Sequence, residues 1–346
     1  MKMLPLKIPV SAKNTNHIQG IAVDAKREYI YCSFTTELIK YDMEGNEVGS
    51  VKGLIGHLGC IAYNCDDGKV YGSLEYKHDA IGAGILKNMG SGAVFEEGFY
   101  IAVFDAERID RVGMDAEKDG VMTAVYLDEV TRDYRADGHR LGCSGIDGTT
   151  FAPLPGGGGK KYLFVAYGVY GDVERTDNDN QVILAYDTSG FLSYARPLCQ
   201  TDMHRSGPKP SRKYYVYTGN TTYGVQNLEY DAYTDRMFMA VYRGKKPDFP
   251  NYATYAVDMT VPPVTKEIPG TGITGEALTL ARDGEYDEKS GVYGWHFNVG
   301  STGIASLGNG LYYFSHNRED YRNKMFYSDI CLYKWDGKSP FVKIEE

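Results

Sequence analysis

A chain of 346 residues with 46 acidic and 37 basic side chains carries a formal net charge of −9, so no global positive field draws it to nucleic acid or an anionic membrane, and neither is expected as a partner. Its 42% hydrophobic content is ample for a buried core, and 30 Tyr and 41 Gly against 2 Trp favour many short strands and tight turns over a helical bundle. The opening Met1-Lys2-Met3-Leu4-Pro5-Leu6-Lys7 has no apolar run of signal-peptide or membrane-spanning length, and the six cysteines form no C-x-x-C pair, so they read as reduced, buried thiols in a cytoplasmic protein.

In chain order, the first repeat (16–54) has an inner strand at Gly20-Ile21-Ala22-Val23, a second at Tyr29-Ile30-Tyr31, a third closing on Tyr41-Asp42 and a fourth over 47–51. The second (56–130) repeats this with Cys60-Ile61-Ala62-Tyr63, Lys69-Val70-Tyr71, Phe104-Asp105 and 121–126. In the third (139–198) the equivalents are Gly148-Thr149-Thr150-Phe151, Tyr162-Leu163-Phe164-Val165, Tyr186-Asp187 and 191–194. The fourth (217–268) offers Asn227-Leu228-Glu229-Tyr230, Met237-Phe238-Met239, Val257-Asp258 and 264–268. The fifth (300–346) closes the series with Gly303-Ile304-Ala305-Ser306, Leu311-Tyr312-Tyr313-Phe314, Trp335-Asp336 and 341–344.

Each third strand ends on an Asp, a residue whose carboxylate accepts bonds from the following turn. Four antiparallel strands per repeat, with small residues on the innermost, is the grammar of a blade around a channel. On this pattern the chain resembles the β-propeller superfamily along nearly its whole length. The resemblance implies an all-β, five-bladed β-propeller of four-stranded antiparallel blades, forming one domain. The ring is expected to close by packing Leu6-Lys7-Ile8-Pro9-Val10 beside Phe341-Val342-Lys343-Ile344, which protects strand edges.

Loop lengths select a functional face. Turns between first and second strands are mostly short, whereas insertions fall between second and third strands (79–98, 168–180, 243–252, 317–328) and between blades (127–147, 199–216, 270–302). Long loops on a rigid scaffold carry binding, and these share one face. The inserts 79–98 and 168–180 are expected to border the same pocket as His17 and His57.

Candidate chemistry follows from repeat position. His17 and His57 each stand three residues ahead of an inner strand, and His139 lies in the loop before the third blade. Converging imidazoles suit one divalent metal ion. Asp147 and Gln226, each just before an inner-strand marker, would complete its surroundings. Glu229 replaces the Ala or Thr of the equivalent positions, is expected to converge with His17, His57, Asp147 and Gln226 at one channel mouth, and is a candidate general acid or base, as is Glu75 at the end of a second strand. Arg243, His316 and Tyr223 would contact an anionic or sugar-like small molecule. The glycines of 156–159 read as a hairpin turn, and Asp172, Glu174, Asp177 and Asp179 as a solvated acidic loop without calcium-loop spacing. The expected function is a small-molecule or carbohydrate-processing enzyme with its site at the channel mouth. The alternative is a non-catalytic ligand-binding or protein-interaction propeller.

Overall fold

The computed structural model describes residues 4–11, 17–320, 322–323 and 325–345. Met1 to Met3 of the opening segment, and Asn16 and Glu346 at the edges of the first and last repeats, lie outside them.

The five inner strands are Ile18–Val23, His57–Asn64, Cys143–Pro153, Thr222–Asp231 and Ile304–Gly308. Each pairs with an antiparallel second strand, and that strand pairs with an antiparallel third. Every inner strand touches those of the neighbouring blades, and the fifth touches the first. The result is a five-bladed β-propeller. Its apolar core is divided among the five interfaces between blades, because each sheet is apolar on both faces. Tyr31 and Tyr63 stack between the first two blades, and Phe238 and Tyr312 meet between the last two.

The third-strand aspartates behave as their chemistry dictates. Asp42 accepts from the Glu44 and Asn46 amides at 2.9 Å, Asp187 from Ser189 at 2.9 Å, and Asp336 from Lys338 and Ser339 at 2.8 Å.

Two of the expected fourth strands lie elsewhere. Residues 191–194 are helical, because Asp187 caps a turn over Thr188–Phe191 that runs into a 3₁₀ turn at Leu192–Tyr194. The outer strand of the third blade is instead Arg212–Tyr217, whose aromatic and β-branched residues suit a half-buried strand. Val264–Ile268 is a strand, but it pairs with Ile273–Ala277 and extends the third blade. The outer edge of the fourth blade is covered by single bridges from Trp295 and Leu280. Within the insert 317–328, residues 317–320 and 325–328 extend the paired strands Leu311–Asp320 and Met325–Trp335, and Tyr321 and Lys324 lie outside the described residues.

The ring closes through the last blade. Lys7–Ser11 pairs with the third strand, with Ile8 opposite Ile330, and Phe341–Lys343 pairs farther along the same strand. The N-terminal residues thus supply the edge that the C-terminal strand leaves uncovered. Ile8 is fully buried in the core between the fifth and first blades. Ile8→Ala is expected to cost about 2–5 kcal/mol, the usual range for emptying a core position. Urea denaturation measures it, and a cost under about 1 kcal/mol would show that the closure contributes little.

Of the six cysteines, all unpaired, Cys32, Cys60, Cys143 and Cys331 are buried. Cys65 and Cys199 are exposed because they fall in turns at the ring surface, which corrects the expectation that all are buried. Among the described residues no helix is long and apolar enough to cross a membrane.

Candidate functional site

His57 opens the inner strand of the second blade and stands directly opposite Glu75 on its neighbour. Asp147 enters from the third blade, where the register of Cys143–Pro153 shifts between Ile146 and Thr149. Such a bulge re-aims a side chain out of the regular alternation. Close approach of the two blades requires glycine at two places. A Cβ on Gly59 would lie 2.5 Å from Ser73 Oγ and 2.7 Å from Asp147 Oδ1, and one on Gly145, whose φ is +132°, would lie 1.9 Å from Glu75 Oε1.

His57 Nδ1 lies 3.7 Å from Glu75 Oε2 and 3.9 Å from Asp147 Oδ1. Both distances exceed a hydrogen bond. The nitrogen is buried and has no hydrogen-bond partner among the described residues. Each carboxylate has its other oxygen held by protein: Glu75 Oε1 accepts the Ile146 amide at 2.6 Å, and Asp147 Oδ2 accepts Gln226 Nε2 at 3.0 Å. One ligand atom from each of His57, Glu75 and Asp147 therefore lies within 4.8 Å of the others.

Lys77 completes the electrostatics. Its Nζ is 2.8 Å from Glu75 Oε2 and 3.6 Å from Asp79, and it donates to Ser144 O at 3.1 Å. Burial alone would raise the Glu75 pKa, but the Lys77 ammonium, and then His57, outweigh it and hold the carboxyl below its ordinary range. Burial would likewise lower Lys77, yet Glu75 and then Asp79 raise it. Asp147 has no such cation in contact. Burial first, then the charge of Glu75, push it up to about 7. Two neighbouring carboxylates are thus driven apart, one kept ionised and the other poised near neutrality. Burial, and then His57, lower His17.

These groups face a cavity of about 340 Å³ that also reaches His17, Gln226 and Tyr223. Its outer wall is the helix Ala80–Met89, which contributes Ala80, Ile81 and Ile85. Asp79 caps that helix by accepting the Ile81 and Gly82 amides, and Gly90 ends it in the left-handed conformation. Asp79 therefore joins the wall to Lys77 and, through it, to Glu75.

His17, His57, Asp147, Gln226, Glu75 and Tyr223 share this cavity. The other candidates lie apart. Glu229 sits at the opposite mouth, since three residues along a strand from Gln226 span roughly 10 Å, and it accepts the Ser306 amide there at 2.6 Å. His139 has φ +53° and does not line the cavity; its Nδ1 is 2.6 Å from Tyr134 O and its ring packs against Tyr134 and Tyr170. Arg243 donates to Asn251 O at 2.9 Å. His316 stacks on Tyr333 in the last blade, with Nε2 2.8 Å from the tyrosine hydroxyl. Of the two inserts expected at the pocket, 79–98 forms its wall. The other, 168–180, does not line it; Gly168 packs behind Ser144 and Tyr223. In that insert Asp177 pairs with Arg175, and Asp179 with buried Lys246. Lys77 escaped the sequence reading, although its place two residues after Glu75 is where an extended chain puts a side chain on the same face.

No family model and no curated protein sequence matches this chain. Solved structures with similar folds include the Dos1 propeller, at 10% identity and TM-score 0.38 over 98% of this chain. This chain spans 63% of that one, less than two thirds of its length. The holo form of the pyranose dehydrogenase PQQ domain from Coprinopsis cinerea is 11% identical, with TM-score 0.42 over 91% of this chain and 82% of the other. A calcium structure of a Trichoderma reesei carbohydrate-active enzyme of family AA12 is 10% identical, with TM-score 0.43 over 91% and 80%.

Proposed function

We propose that the ring acts as one domain and as a metal-dependent enzyme on a small, polar, sugar-like substrate, with His57, Glu75 and Asp147 as the protein ligands of a single divalent ion. The observation that carries this reading is the orphaned Nδ1 of His57, set 3.7 and 3.9 Å from two carboxylate oxygens. Those gaps are too long for direct bonds and match what an ion bonded at about 2.0–2.2 Å to each atom would span. One imidazole with two carboxylates suits Zn²⁺ or Mn²⁺ better than the all-oxygen preference of Ca²⁺. The Ile146 amide and Gln226 turn one oxygen of each carboxylate toward the gap, the orienting task of an outer shell.

Bound there, the ion would supply Lewis acidity toward a substrate oxygen. The chain's own residues provide the rest. Tyr223 stands at the rim, 43% exposed, and offers a face for a sugar ring, while His17 and Gln226 offer polar edges. The helix Ala80–Met89 walls the cavity with Ala80, Ile81 and Ile85. The unpaired cysteines support action in the reducing cytoplasm.

Elemental analysis of protein prepared without chelator tests this. The expected content is close to one Zn or Mn per chain, falling about ten-fold or more in His57→Ala while thermal unfolding stays cooperative. Turnover of aryl glycosides or free sugars should stop with a chelator and return with the metal. A wild-type protein that takes up no ion on dialysis against Zn²⁺ or Mn²⁺, or a His57→Ala variant that keeps it, overturns the reading.

A further inference from the structure

The opposite end of the channel is also a cavity, of about 510 Å³, and Glu229 lines it. Its other walls include Tyr63, Phe151, Tyr230, Tyr233 and Ile61. The aromatic walls are mostly held in place. Tyr63 stacks on Tyr31 at 6.1 Å, Phe151 meets Tyr71 edge-on at 5.0 Å, and Tyr230 donates to Asp235 at 3.2 Å. Tyr233 is 63% exposed at the rim.

Glu229 accepts the Ser306 amide, yet no cation pairs with it among the described residues, and its charged neighbour is the acidic Asp231. The single cation of the described lining is Lys161, whose Nζ lies at the rim 3.4 Å from Asp66. A carboxyl set in an aromatic and aliphatic cavity without a counter-charge is costly to ionise. Burial accordingly raises its pKa to about 8.

We propose that this second mouth is a binding site for a small organic cation, an alkyl- or arylammonium whose charge meets Glu229 and whose body lies against the tyrosine and phenylalanine rings. An arriving ammonium supplies the missing counter-charge, and ring faces attract cations in the same space. An anion would meet the acidic Asp231 and further oppose the ionisation of Glu229, whereas a neutral polar molecule would gain one hydrogen bond at most from the carboxyl. The volume lies within the ordinary range for small-molecule sites. The net charge of −9 favours the approach of cations over anions. The site is independent of the His57 cavity, because the two occupy opposite ends of the inner strands.

Titration calorimetry with phenethylammonium and its neutral analogue 2-phenylethanol tests the proposal. The ammonium should bind saturably, and the alcohol about ten-fold or more weakly. Glu229→Gln should weaken ammonium binding by about ten-fold or more, and Tyr233→Ala, at an exposed position that does not threaten folding, by several-fold. His57→Ala should leave the binding unchanged, which separates this mouth from the carboxylates of the other. Equal binding of amine and alcohol, wild-type affinity in both Glu229→Gln and Tyr233→Ala, or no saturable binding in the millimolar range overturns it.

Discussion

Lys77→Met is expected to destabilise the metal-free protein by about 3–5 kcal/mol, the cost of leaving one member of a buried ion pair uncompensated. Both partners are buried, with side chains 7% and 2% exposed and atoms 2.8 Å apart. Glu75 would then face Asp147 and the protein interior with its nearest cation gone. Urea denaturation in the presence of a chelator measures the effect, and Lys77→Met/Glu75→Gln should recover most of it, because glutamine still accepts the Ile146 amide. The sign with pH follows from the depressed carboxyl of Glu75. The pair contributes fully above the ordinary carboxylate value of 4.5 and loses its contribution as pH falls through the lower folded value. The penalty in Lys77→Met should therefore shrink in acid. A variant as stable as wild type at neutral pH would show that Lys77 does not hold the charge of Glu75.

Glu229→Gln is expected to stabilise the protein at alkaline pH, by roughly 2–4 kcal/mol near pH 8. The carboxyl is raised from 4.5 to about 8, first by burial and then by Asp231, against the Ser306 amide and the Thr150 hydroxyl. Below pH 4.5 it is protonated in both folded and unfolded chains and contributes no difference. Between 4.5 and about 8 the unfolded chain ionises while the folded one does not, so wild-type stability falls with rising pH across that window. Glutamine does not ionise and removes this slope. Denaturation curves for both proteins from pH 4 to 9 should converge in acid and separate as pH rises, and parallel curves would mean that Glu229 ionises freely.

Position in the repeat was legible in the primary sequence because a propeller repeats its backbone, and equivalent residues then share a height on the channel. That is why His17, His57, Asp147 and Gln226 share one cavity. The same logic misplaced Glu229, since its anomaly in the small-residue column says that it lines the channel but not at which end. The fourth strands were least legible. They lie at blade edges, where pairing depends on what the ring leaves uncovered, and 191–194 gave way to the cap at Asp187.

By itself the sequence determined the five blades, the closure through the termini and the residue types at the channel, because alternation and recurring small residues admit few other ways of burying this chain. Only the tertiary structure decided that Glu75 faces His57 across a strand pair, that a bulge turns Asp147 toward both, and that Lys77 neutralises one carboxylate and not the other. Those outcomes rest on distances of a few ångströms between blades. They are set by glycine approaches such as Gly59 and Gly145, whose effect depends on which backbone lies opposite, a fact that no pattern along a single strand contains.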